Sequence, residues 1–288
     1  MKIRMITRHE PDFPEALIEH VSDCRNIYVS GNTEILKMKS IAIVGSRNCT
    51  SYGIAVARGL AKSAAEHGVA VISGLARGID SAAHRSALEA GGKTVGVLGT
   101  GIDVFYPAEN RDIQKKISES GLLISEYEPG TPARPYNFPK RNRLISALAD
   151  AVVVVEASTR SGALITAECA AEQGKRLYAV PGNITSEASV GTNKLIREHV
   201  DPLIFFEDVF SDIGAQKHTT FPKASLGGDE RSVIEAVLRF GELTFEEIHH
   251  ITHIKPPEIN GIITILEIKG YVYCEMGKVM IANFRNDI

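Results

Sequence analysis

Residues Ile41–Asp80 read IAIVGSRNCTSYGIAVARGLAKSAAEHGVAVISGLARGID. Ile41–Val44 is a short apolar run rich in β-branched residues, which predicts a strand buried on both faces. Gly45-Ser46-Arg47 breaks it. Ser51 is placed to cap a helix through its hydroxyl, and Ile54, Val56, Leu60 and Ala64 carry that helix to Gly68. Val69–Ser73 is a second strand, and Gly74–Asp80 a second glycine turn. This order puts backbone N–H groups and helix N-termini at one edge of a parallel sheet, and that edge suits phosphate. Neither familiar nucleotide signature is present. Gly45-Ser46-Arg47-Asn48 lacks Gly-x-Gly-x-x-Gly. Gly92-Lys93-Thr94 has Ala87 where a P-loop needs its first glycine, and Lys93 precedes a strand. No cofactor is expected.

The 288 residues suit one large domain and a small one. A net charge of −3 gives no global sign of nucleic-acid binding, so any such site is a local patch. Cys24, Cys49, Cys169 and Cys274 form no Cys-x-x-Cys pair, which argues against a zinc ribbon or disulfide framework and suits a reducing cytoplasm. No apolar stretch is long enough to span a bilayer.

Residues 1–39 are expected to cap the main sheet, with a helix from Asp12–Ile18 and a strand at Asn26–Ser30. The main domain is expected over 40–210, as strands alternating with helices: an α/β fold with a mostly parallel sheet and helices on both faces. Asn110 is expected to cap a helix through Ser118, Arg141–Ala149 to be helical, and Thr192 to cap a helix to His199. The polar stretch 211–228 reads as a linker. Residues 229–288 read as a winged helix. A first helix is expected over Asp229–Phe240. Thr244 and Glu247 form a capping box for a second. Pro256-Pro257 opens a third that Gly270 ends, and a hairpin follows about Met276-Gly277.

Arg134–Arg143, RPYNFPKRNR, carries cations and aromatics with no acid. Single-stranded nucleic acid wants that mixture, since cations follow phosphates and aromatic faces stack on bases. The plainer alternative is a solvated loop whose arginines pair with acids elsewhere. A second constellation, Glu156–Thr166, follows the four-valine strand Val152–Val155 and sets Ser161 and Gly162 at a helix N-terminus. A third joins Pro181-Gly182-Asn183 to Gly191-Thr192-Asn193-Lys194. The turns at Gly45, Gly74, Gly99, Ser161 and Gly191 all fall at strand C-terminal ends, like a groove floor. His249, His250 and His253 read as surface histidines, and His84 as a packing residue.

The motifs VGSR (Val44–Arg47), ISGLARGIDSAAH (Ile72–His84), GGKTVGVLGTGID (Gly91–Asp103), YP-x-x-N (Tyr106–Asn110), FPKRNRLIS (Phe138–Ser146), SGALITA (Ser161–Ala167), AVPGN (Ala179–Asn183) and GTNKLI (Gly191–Ile196) resemble the DNA-processing protein A family, DprA or Smf. The match runs from residue 10 to about 205. Ala147 stands where the family usually has glycine, and Asp23-Cys24-Arg25 replaces Asp-Pro-Pro. The resemblance implies an extended Rossmann-like fold that dimerises through that domain, binds single-stranded DNA and loads the RecA recombinase on it in natural transformation. The resemblance carries DNA contacts over to Arg47, Phe138, Lys140, Arg141, Asn193 and Lys194; Ser46, Asn142, Arg143, Ser161, Gly162, Thr166 and Gly191 are expected to join them, with no catalytic residue and no metal. The alternative is a lysine-decarboxylase-like phosphoribohydrolase of nucleoside monophosphates. The glycine turns are similar to that family too, but its PGGxGT signature is missing, and Glu168 is the one candidate acid.

The tail from Asp229 to Ile288 has ten acids and six lysines or arginines, so it carries −4 while residues 1–228 carry +1. Its third helix has Glu258 and Glu267 against Lys269. A major-groove reader needs cations there. The tail is therefore expected to be a protein-contact or regulatory module.

Overall fold

The computed structural model describes residues 2–215, 227–269, 271–275 and 277–281. The chain divides into two compact units, 1–219 and 220–288.

The first unit contains, in chain order, β1 (Arg4–Thr7), α1 (Glu15–His20), β2 (Asn26–Gly31), β3 (Ser40–Val44), α2 (Ser51–Glu66), β4 (Ala70–Ser73), α3 (Ile79–Glu89) and β5 (Thr94–Leu98). Then come α4 (Arg111–Ser120), β6 (Leu122–Ser125), α5 (Asn137–Leu148), β7 (Ala151–Val154), α6 (Gly162–Glu172), β8 (Arg176–Ala179), α7 (Val190–Arg197), β9 (Asp201–Pro202) and α8 (Phe206–Asp212). Among the described residues one sheet has nine strands, in the order β1-β2-β6-β5-β4-β3-β7-β8-β9. From β6 to β9 all neighbours are parallel, and β1 and β2 add an antiparallel edge. The N-terminal segment is thus part of the sheet as well as a cover for it.

Alternation along β3 explains the two layers. Ala42 and Val44 point to a core shared with Leu144 and Ile145 of α5 and Ala163 and Ala167 of α6. Ile41 and Ile43 point to the opposite core, with Leu60 and Ala61 of α2, Ala83 of α3 and Phe210 of α8. Both faces are covered, so the strands read as continuous apolar runs. His84 sits fully buried on α3, with Nδ1 2.6 Å from the Thr94 hydroxyl. Burial holds it near pKa 3, so it is neutral and packs.

Four expected details change. The α2 cap is Thr50, whose hydroxyl accepts from Gly53 N–H at 3.2 Å; Ser51 is already helical. Asn110 precedes α4 but its side chain caps nothing, and it donates instead to the carbonyls of Leu75 and Ala76. Thr192 lies inside α7, which starts at Val190. The expected linker begins inside α8, because the chain stays packed to Ala215; 216–226 lie outside the described residues.

The second unit contains α9 (Gly228–Phe240), β10 (Leu243–Thr244), α10 (Phe245–Thr252), α11 (Pro256–Ile268), β11 (Val272–Glu275) and β12 (Lys278–Ile281). Its strands form an antiparallel sheet in the order β10-β12-β11, over a core of Val233, Val237, Ile248, Ile259, Ile263 and Leu266. Three helices with this sheet make a winged helix. Thr244 and Glu247 form the capping box. Gly270 and Met276 lie outside the described residues.

Candidate nucleic-acid interface

Strand order decides where a site forms. The chain runs from β3 outward through β4, β5 and β6, then returns to the other side of β3 as β7. Loops leaving β3 and β7 therefore diverge, and an open α/β sheet binds ligands in such a crevice. Here a cleft of about 870 Å³ is lined by Gly45–Asn48 after β3, Ser158–Thr166 across the start of α6 except Thr159 and Leu164, and Tyr106, Phe138, Arg141 and Asn142.

The loop after β3 is fixed at both ends by Glu156. Its carbonyl accepts from Ser46 N–H at 2.8 Å. Its carboxylate, 2% exposed, accepts from Thr50 N–H at 2.8 Å and the Thr50 hydroxyl at 2.5 Å. Between these anchors Arg47 is exposed, and its guanidinium lies over the Phe138 ring, 5.6 Å from the centroid. Among the described residues neither Arg47 nor Arg160 makes an ion pair. Ser161 caps α6, accepting from Ala163 N–H, and Gly162 is exposed beside it. Thr166 is 1% exposed and lines the cleft wall.

The stretch Arg134–Arg143 is not a loop throughout. Helix α5 starts at Asn137, so Pro139 stands in the first turn, where its missing N–H costs nothing. Helical spacing then sends the cations to different sides. Phe138, Arg141, Asn142 and Ile145 face the cleft. Lys140 and Arg143 turn away from its lining toward Glu126, at 3.9 and 2.9 Å.

Arg141 is corrected from a surface contact to an internal strut. It is 4% exposed and donates to the Gly74 carbonyl at 2.6 Å and to the Val97 carbonyl. Burial pushes its pKa down to about 10, against the opposing pull of Asp80. Asp80 in turn accepts from Gly74 and Ala76 N–H, and burial pushes its carboxyl up. Arg143 is likewise committed, to Glu126 and to Asp23 at 3.1 Å. Asn142 is 9% exposed and donates to the Gly162 carbonyl at 3.1 Å, holding the start of α6. Gly191, Asn193 and Lys194 are not among the cleft residues. Gly191 N–H donates to Ala157, and Asn193 bonds both N–H and carbonyl of Gly182, so both brace the third loop. Lys194 is exposed on α7.

Sequence reasoning passed over Arg160, Asn48 and Tyr106, which line the cleft. Arg160 was legible as the cation of the Glu156–Thr166 constellation. Among the described residues no cluster of His, Cys, Asp and Glu has metal-binding geometry. His249 bonds the Ile254 carbonyl, and His253 ends α10 in the left-handed region.

The sequence profile of DNA recombination-mediator protein A matches residues 4–214. The chain belongs to that family. DNA processing protein DprA of Streptococcus pneumoniae is 43% identical over 190 residues, 65% of this chain and 66% of the relative. Protein Smf of Escherichia coli is 40% identical over 187 residues, 65% of this chain and 50% of the relative. The chain thus spans between half and two thirds of these relatives. The crystal structure of the pneumococcal DNA processing protein A has a TM-score of 0.71 at 38% identity, covering 76% of each chain. A solved structure of DNA processing protein A from Helicobacter pylori, described for its single-stranded DNA binding mode, has a TM-score of 0.67 at 27% identity, covering 74% of this chain and 96% of the other. Among the described residues no helix is long and apolar enough to cross a membrane.

Proposed function

We propose that this family member binds single-stranded DNA in the cleft between the β3 and β7 loops. One observation carries the reading: an exposed arginine that makes no ion pair among the described residues, Arg47, lies over the ring of Phe138 at a topological switch point. Arg47 and Arg160 meet phosphates, Phe138 takes a base face, and Ser161, Gly162 and Thr166 form the far wall. The single-stranded DNA binding of the H. pylori relative supports this. The family's role as a recombination mediator supports the further steps. In these the protein, a cytoplasmic homodimer joined through the Rossmann-like unit, protects incoming DNA and loads RecA on it during natural transformation.

The phosphoribohydrolase reading is less well supported, because its one candidate acid, Glu168, is out of place. The Glu156 carboxylate is buried and spent on Thr50, and Glu168 is exposed outside the cleft lining. A mobility-shift assay separates the readings. Single strands should shift at lower protein concentration than the duplex of the same sequence, and nucleoside monophosphates should release no base. Equal affinity for the two DNA forms would sink the proposal.

The acidic tail should not contribute. A chain lacking residues 220–288 is expected to keep most of its single-strand affinity; loss of most of it, with the first unit still folded, would contradict a tail that meets proteins instead of DNA.

A further inference from the structure

The YP-x-x-N motif at Tyr106–Asn110 has no part in the phosphate contacts, yet it is firmly fastened. Asn110, 4% exposed, donates to the carbonyls of Leu75 at 2.9 Å and Ala76 at 3.1 Å. Glu109 pairs with Arg77 at 2.5 Å, and Pro107 is buried. Asn110 and Glu109 hold the segment to the second glycine turn. What it presents is Tyr106, which is 44% exposed and lies in none of the hydrophobic cores. Among the described residues its hydroxyl makes no hydrogen bond. Its ring centroid is 5.3 Å from that of Phe138, tilted by 32°. It lines both the main cleft and a smaller cavity of about 100 Å³, which Arg47, Phe138 and Arg141 also line. The contacts of Asn110 and Glu109 thus hold a half-exposed aromatic ring at the rim of the cleft, beside Phe138.

We propose that Tyr106 is a second base-stacking surface, taking the nucleobase next to the one on Phe138. This rests on the single-stranded DNA reading of the cleft. Arg47, Phe138 and Tyr106 then form one continuous platform, with a cation at one end for phosphate and two flat faces for neighbouring bases. Stacking of this kind is indifferent to base identity, because every base has a π-face.

The test measures binding of the full chain to fluorescent oligothymidylate and to an abasic strand of equal length. Tyr106→Ala and Tyr106→Leu should weaken oligothymidylate binding roughly five- to a hundredfold, the range expected for one lost stack. Tyr106→Phe should bind like the wild type. All four proteins should bind the abasic strand alike, since no base is there to stack. Wild-type affinity of Tyr106→Ala for oligothymidylate would overturn the proposal. So would an equal loss on the abasic strand, which would make the effect indirect. A wild-type chain that binds neither strand would overturn the reading of the cleft itself.

Discussion

Arg141→Ala is expected to lower the stability of the first unit by about 3–5 kcal/mol, the cost of emptying a buried charged site. Three groups lose their partner together. The carbonyls of Gly74 and Val97 lose a charged donor, and Asp80 loses the cation that offsets its burial. A domain has only about 5–15 kcal/mol in total, so the change is severe. Chemical denaturation of Arg141→Ala beside Arg47→Ala checks it. Arg47 is exposed, and its loss should cost within roughly 0.5 kcal/mol. Equal stability of the two variants would return Arg141 to the DNA surface.

Gly78→Ala is expected to damage both stability and binding. Gly78 has φ +74° and ψ −124°, a region nearly closed to other residues, with a strain cost of about 1–3 kcal/mol. A Cβ there would also lie 2.3 Å from the Ser46 carbonyl oxygen and 2.8 Å from that of Arg47. The second glycine turn thus sits directly against the loop that carries Arg47. Pushing that loop away should weaken single-strand binding by about tenfold or more, a shift of about 1.4 kcal/mol. Gly91→Ala is the control. Gly91 has φ +71° but open space around its Cβ position. It should lose stability and keep DNA affinity. Unchanged binding by Gly78→Ala would separate the two turns.

Much of this was legible in the sequence for a simple physical reason. Strands buried on both faces must be apolar along their whole length, so Ile41–Val44 and Val152–Val155 announce themselves. Glycine turns at strand ends are equally plain, and the structure brings Arg47 of the first turn over the ring of Phe138. Two things were not legible. The sequence predicts the helix from Arg141, with Asn137–Pro139 in the preceding loop, because a proline in a helix's first turn looks the same in sequence as one in a turn. Once α5 starts at Asn137, successive residues point in different directions, and neighbours such as Arg141 and Arg143 part ways, one inward and one to Glu126. Strand order was the other gap. It depends on pairing between distant segments, so nothing local says that β7 returns beside β3 and opens the cleft there.

The most direct measurement is the salt dependence of oligothymidylate affinity for the wild type, Arg47→Ala and Arg143→Ala. Each phosphate neutralised on a single strand adds about 0.7 to the slope of log affinity against log salt. Arg47 meets phosphate in this account, whereas Arg143 is held by Glu126 and Asp23. Arg47→Ala should therefore bind more weakly with a slope shallower by about 0.7, and Arg143→Ala should keep the wild-type slope. A wild-type slope in Arg47→Ala together with a shallower one in Arg143→Ala would contradict the account, placing the strand on the outer face of α5 and not in the cleft.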